Sequence, residues 1–162
     1  MKKNTKKQIK KGFGFGLTSG VITTLGLIVG LYFSTHSKML VIGGILMIAV
    51  ADSMSDALGI HIAEEFDGKN SFKDIWVATG STFLFKFTFA LLFIVWFLFF
   101  DTGLAVLISV IWGALLIVAF SYYLAKSNKV PAYEVILEHI VIMSAVIVVT
   151  YFVGSFIDKV FI

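Results

Sequence analysis

The chain has 162 residues, is 59% hydrophobic, carries charge on only 14% of its residues and has a mean hydropathy of +0.97. A soluble domain is about 45–50% apolar, so this composition predicts an all-α polytopic membrane protein, with one domain and too little polar sequence for a second. The absence of cysteine excludes disulfides, thiolate metal sites and thiol catalysis; the net charge of +3 comes from 13 lysines and no arginine, clustered at segment boundaries, and does not point to nucleic acid.

Residues 1–11, MKKNTKKQIKK, hold six lysines and no acid, and are expected as a cytoplasmic tail. The tail serves as a topology signal or also touches anionic lipid. The first apolar segment spans about residues 13–33. It is too long for a cleaved signal peptide and no small-residue cleavage site follows, so it stays as a spanning helix. Segment two covers 39–62, segment three 75–100, segment four 104–124 and segment five 132–156. STHSK, FDGKNSFKD, the Asp101-Thr102-Gly103 turn and AKSNKVP connect them, and Pro131 suits the first turn of the last helix. Residues 12–162 therefore form one five-helix domain. Ten lysines fall on the side of the N-terminus and two, Lys38 and Lys159, on the other; Lys86 lies inside segment three. The asymmetry places the N-terminus in the cytoplasm and the C-terminus outside, in the cell membrane if the host is prokaryotic.

Segment one is rich in small residues. Gly16, Ser19, Gly20, Thr23 and Gly30 share one stripe, which is a dimer seam, a pore wall or an ordinary intramolecular contact. Segment two carries Asp52 and Asp56 one turn apart on a face with Ser55 and Gly59, while Met54, His61 and Glu65 lie nearly opposite. A charge at membrane depth costs about 2.5–3.5 kcal/mol on insertion scales and marks ion or proton pathways. Rise along the helices puts Ser19 roughly 9 Å from the inner edge, Asp56 and Glu138 about 10–12 Å, and Asp52 and Lys86 about 16–18 Å. Two layers are expected: Asp52 with Lys86 near the midplane, and Asp56 with Glu138 and Ser19 nearer the cytoplasm. Carboxylates and hydroxyls converging on one point make a hard oxygen site for divalent cations, and His or Met widens it toward iron and manganese. The structural alternative is an Asp52–Lys86 ion pair and a neutral, hydrogen-bonded Glu138. Lys86 is a counter-ion for the empty site or a permanent neutraliser of Asp52. At the cytoplasmic mouth, Glu64 and Glu65 attract cations or simply end a helix, and His61 is a wet interfacial residue or a ligand. No nucleotide loop, zinc-protease motif or nucleophile–base pair is present, which makes an enzyme the weakest reading.

In GLTSGVITTLGLIVGL of segment one, SDALGIHIAEE closing segment two, ATGSTFLFKFTFALLFI of segment three and VTYFVGSFI near the end, the chain resembles the vacuolar iron transporter family. The resemblance runs from about Gly12 to Ile157 and rests on the order and spacing of several motifs. It implies a five-helix homodimer that moves ferrous iron or manganese out of the cytosol in exchange for protons, with no tightly bound cofactor. The family's metal positions are an acid in the first helix and a glutamate and a methionine in the second. They fall on Ser19, Ile48 and Asp56 here, so all three are changed, and the family's longer insert between the second and third helices is replaced by FDGKNSFKD. The resemblance thus leaves two readings: a carboxylate that has moved to Asp56, with Asp52 beside it, or a divergent member with another cargo or none. The expected function is divalent-metal export; the alternatives are a proton-coupled carrier or channel for another ion, gated by Asp52 and Lys86, and a non-transporting scaffold. The expected partners are a second copy, the lipid bilayer and the metal ions.

Overall fold

Short polar residues set the helix starts. Ser37 accepts from the Leu40 N–H, Ser71 from Asp74 and Asp101 from Leu104, each satisfying a backbone donor that the first turn leaves free. Gly68, at φ 63°, ends the second helix in the left-handed conformation, where a residue without Cβ carries no steric cost. The computed structural model describes residues 3–161, and within them it is all-helical: α1 (Lys3–Thr35), α2 (Lys38–Asp67), α3 (Phe72–Leu92), α4 (Ile94–Phe99), α5 (Thr102–Asn128) and α6 (Ala132–Phe161). α3 and α4 together form one span, interrupted at Phe93, whose N–H bonds back to Ala90 and Leu91 in a tightened turn. Five helices are thus long and apolar enough to cross a membrane, the number expected from the hydropathy.

The helices outrun the apolar segments. The lysine-rich stretch expected as a tail is helical from Lys3 and continues into α1 without a break; residues 1, 2 and 162 lie outside the described part. Hydropathy marks where a helix crosses lipid, not where its hydrogen-bond ladder ends, and polar turns at α1, α2 and α6 extend each ladder past the apolar stretch.

α1 is the central element. It packs against α2, α3, α5 and α6, and half of its apolar stretch is buried against 11% for α6. Leu17, Val21, Leu25 and Ile28 of α1 meet Val41 and Ile45 of α2, Phe93 and Phe97 at the α3–α4 junction, and Ile117 and Phe120 of α5. The approach of α1 to α3 depends on two glycines. A methyl group on Gly16 would lie 2.8 Å from the Lys86 backbone nitrogen, and one on Gly20 would lie 3.1 Å from the Lys86 carbonyl oxygen. Small residues are the usual means of bringing two helix backbones together in lipid.

Candidate functional site

The close α1–α3 contact aims the side chain of Lys86 into the space between α1, α2 and α3. On α2, Asp52 and Asp56 are one turn apart and point into the same space. Lys86 Nζ lies 2.6 Å from Asp52 Oδ2, bonds directly to Asp56 Oδ2 and donates to Ser19 Oγ at 3.0 Å. An ammonium has three N–H donors, and all three are used. From α1, the Ser19 hydroxyl donates to Asp56 Oδ2 at 2.8 Å, and Thr23 Oγ1 lies 2.9 Å from both Asp52 Oδ2 and the Ser19 carbonyl. Each aspartate thus has the lysine and one hydroxyl of α1. Lys86 is 1% exposed, yet the two carboxylates keep about a quarter of their side-chain surface open, 27% for Asp52 and 24% for Asp56.

The two expected layers merge into one. Lys86 reaches across a full turn of α2 and joins both acids, so Asp52 does not hold it alone. Ser19 meets Asp56 as its depth suggested. Glu138 does not join them: it is exposed on α6, has no ion pair among the described residues, and belongs to a helix that packs on α1 and α5. Depth along a helix is read from residue count, but the direction in which a side chain leaves the helix depends on tertiary packing. Among the described residues, no three His, Asp or Glu side chains stand close enough together to hold a metal ion.

The residues expected at the mouth divide. His61 Nδ1 is 2.9 Å from Thr79 Oγ1, its Nε2 is 3.4 Å from Glu65, and its ring meets Trp76 edge-on at 4.9 Å. It lines an apolar cavity of about 350 Å³ with Met54, Leu58 and Phe83, away from Asp52 and Asp56. Glu65 is exposed. Glu64 is buried instead of lining an open mouth. It bonds to Lys11, accepts from Gln8 at 2.9 Å and from Asn70 at 2.7 Å, and so ties the first turns of α1 to the α2–α3 loop. Beside it, Asp74 accepts from Asn4 at 2.8 Å, Thr5 at 3.1 Å and Ser71 at 2.7 Å. The sequence reading missed this network. Its signal was present in the run of polar, non-lysine residues Asn4, Thr5 and Gln8, spaced so that they return to one side of a helix.

The small-residue stripe of α1 is occupied within the chain. Gly16 and Gly20 lie against α3, Thr23 faces Asp52, and Gly30 lies against Thr150 of α6 and beneath Gly154. Each glycine of the expected dimer seam therefore meets a helix of the same protomer. One face that stays open is on α2, where Ala51, Ser55 and Gly59 are exposed beside the aspartates.

Compared with protein-family models, with curated proteins and with solved structures, the chain matches none of them.

Proposed function

We propose that the chain is a membrane ion carrier that moves divalent iron or manganese out of the cytosol in exchange for protons, with Asp52, Asp56 and Lys86 as its working centre. The observation that carries this reading is the Lys86 ammonium, almost fully buried and held by two carboxylates that are themselves partly open. The ammonium occupies the place of a cation. Asp52, Asp56 and the ionised Lys86 sum to a charge of −1. A divalent ion that displaces the ammonium and drives off its proton leaves the centre neutral, so cargo entry and proton release are linked by charge. Ser19 and Thr23 supply further oxygens of the hard type that such ions prefer. The cargo itself rests on the family resemblance. The same reading takes the N-terminus as cytoplasmic, by the lysine asymmetry, and the working unit as a homodimer. With the glycine face of α1 filled, the second copy meets another face.

A second reading is favoured by one observation: among the described residues, no third acid or histidine joins the pair in a group able to hold a metal ion. In it the centre handles protons coupled to another ion, and release of Lys86 from one of the two aspartates it bridges is the gate.

Both are tested with purified protein in sealed vesicles, by measuring ferrous and manganous uptake with and without a pH gradient. The lead reading expects gradient-dependent uptake in the native chain and its loss in Asp56→Asn. Proton flux without uptake of either metal would favour the second. No flux of any kind from folded protein would overturn both and leave a scaffold.

A further inference from the structure

At the lysine-rich end of the bundle, α1, α5 and α6 leave a cavity of about 710 Å³. Its mouth carries Lys7, Lys10 and Lys11, its wall is formed by Phe13, Phe120 and Tyr123, and among the described residues no Asp or Glu lines it. Lys11 is committed to Glu64, whereas Lys7 and Lys10 are exposed and have no ion pair among the described residues. Phe13, Phe120 and Tyr123 also line a second cavity of about 510 Å³, which continues between Leu17, Phe89 and Leu116 and contains no charged side chain. From Lys7 to Leu17 the helix rises about 15 Å. The two cavities therefore form one groove beside α1, cationic at the end of the bundle and wholly apolar toward its middle.

We propose that this groove binds a single anionic phospholipid, with its phosphate at Lys7 and Lys10 and one acyl chain in the slot between α1, α3 and α5. The order of chemistry along the groove is that of such a molecule. Lysine ammonium groups near a membrane surface attract anionic headgroups, and their long stems hold the charge at the interface while the rest of the side chain stays with the apolar wall. A free inorganic anion would use the mouth but leave the slot empty. A zwitterionic lipid would use the slot but gain little from two unpaired lysines. The groove lies across α1 from the Asp52–Lys86–Asp56 centre and does not depend on what that centre transports.

The test measures lipid retention by the purified full-length chain in detergent, using native mass spectrometry. The probes are phosphatidylglycerol, phosphatidylcholine with the same acyl chains, and inorganic phosphate. The expected result is preferential retention of phosphatidylglycerol, weakened roughly tenfold to thirtyfold in the double variant Lys7→Gln, Lys10→Gln and within about twofold of native in Lys69→Gln, Lys73→Gln, which removes the same charge from the neighbouring α2–α3 loop and the first turn of α3. Ala119→Trp fills the slot from an exposed position. It should weaken phosphatidylglycerol retention and leave any association of inorganic phosphate unchanged. Equal retention of the two lipids overturns the proposal. So does an equal effect of the two lysine pairs, which would mean diffuse attraction to the membrane. Displacement of the lipid by inorganic phosphate, together with indifference to Ala119→Trp, would reduce the groove to a free-anion site. If Ala119→Trp does not fold, the contrast between the two lysine pairs still decides, because all four lysines are exposed.

Discussion

Two clusters in this molecule are built from the same parts and arranged in opposite ways. Each sets an acid of α2 against a lysine, with a polar side chain of α1 as a further partner. In the cluster at Asp52 and Asp56 the lysine is sealed, with 2% of its side chain exposed, and the carboxylates are open to about a quarter. In the cluster at Glu64 the acid is sealed, at 3%, and Lys11 is half exposed. The open partner determines what each cluster can exchange. Open carboxylates present a negative site that a visiting cation or proton can reach without unfolding anything. An open ammonium above a sealed carboxylate presents nothing to a cation, and its acid is fully used in holding α1 to the α2–α3 loop. Under the transport reading the first arrangement suits traffic, and the second closes α1 onto the α2–α3 loop.

The contrast can be broken most directly at Lys86. Lys86→Met leaves two carboxylates without a counter-ion, and removing one partner of a buried pair costs about 3–5 kcal/mol. Thermal unfolding in detergent should show that loss, and Asp52→Asn added to Lys86→Met should recover part of it. Glu64→Ala strands the Gln8 and Asn70 amides, a loss of about 1–3 kcal/mol by the same measurement. The effect of Glu64→Ala should appear as earlier amide exchange in the first turns of α1, with little change around Asp56. Ser19→Ala removes one hydroxyl from Asp56 and should cost about 1 kcal/mol of stability; under the transport reading, it should also slow uptake without abolishing it. Smallest is Lys11→Gln, at or below about 1 kcal/mol, because the half-exposed ammonium is already screened and the glutamine amide can still donate to the buried Glu64. A Lys11→Gln loss as large as that of Lys86→Met would show that the two clusters are not opposites at all.

Much of this was legible in the chain. Five apolar runs gave five spans because the hydrocarbon thickness fixes the length of a crossing helix. The depths of Ser19, Asp52, Asp56 and Lys86 follow from counting residues along those runs, and these four side chains do meet. Direction around the helix axis was not legible across helices, which is why Glu138 matched in depth and yet sits on an outer face. The lysine-rich stretch near the N-terminus reads as a polar tail. It hid a docking contact, because Glu64 is buried only by the tertiary approach of α1. The turn at Phe93 has no glycine or proline to announce it. The spacing of the α1 glycines offers a dimer seam, a pore wall or an intramolecular contact, and within the protomer they meet α3 and α6; which helix they contact is decided by packing that no local pattern encodes.

One consequence follows from α1 being a single unbroken helix from Lys3 to Thr35. Lys11 and Ser19 are fastened to the same rod, about 12 Å apart along its axis, one in each cluster. The rod works as a bolt through two hasps. Sliding it by the rise of one residue, about 1.5 Å, misaligns the Gln8 and Lys11 contacts to Glu64 at the same moment as those of Ser19 and Thr23 to the aspartates. A rigid shift of α1 at the Glu64 cluster would therefore reach the aspartate cluster with no relay of intervening side chains. Distances measured between spin labels at the two clusters, in the native chain and in Glu64→Ala, should shift together or not at all.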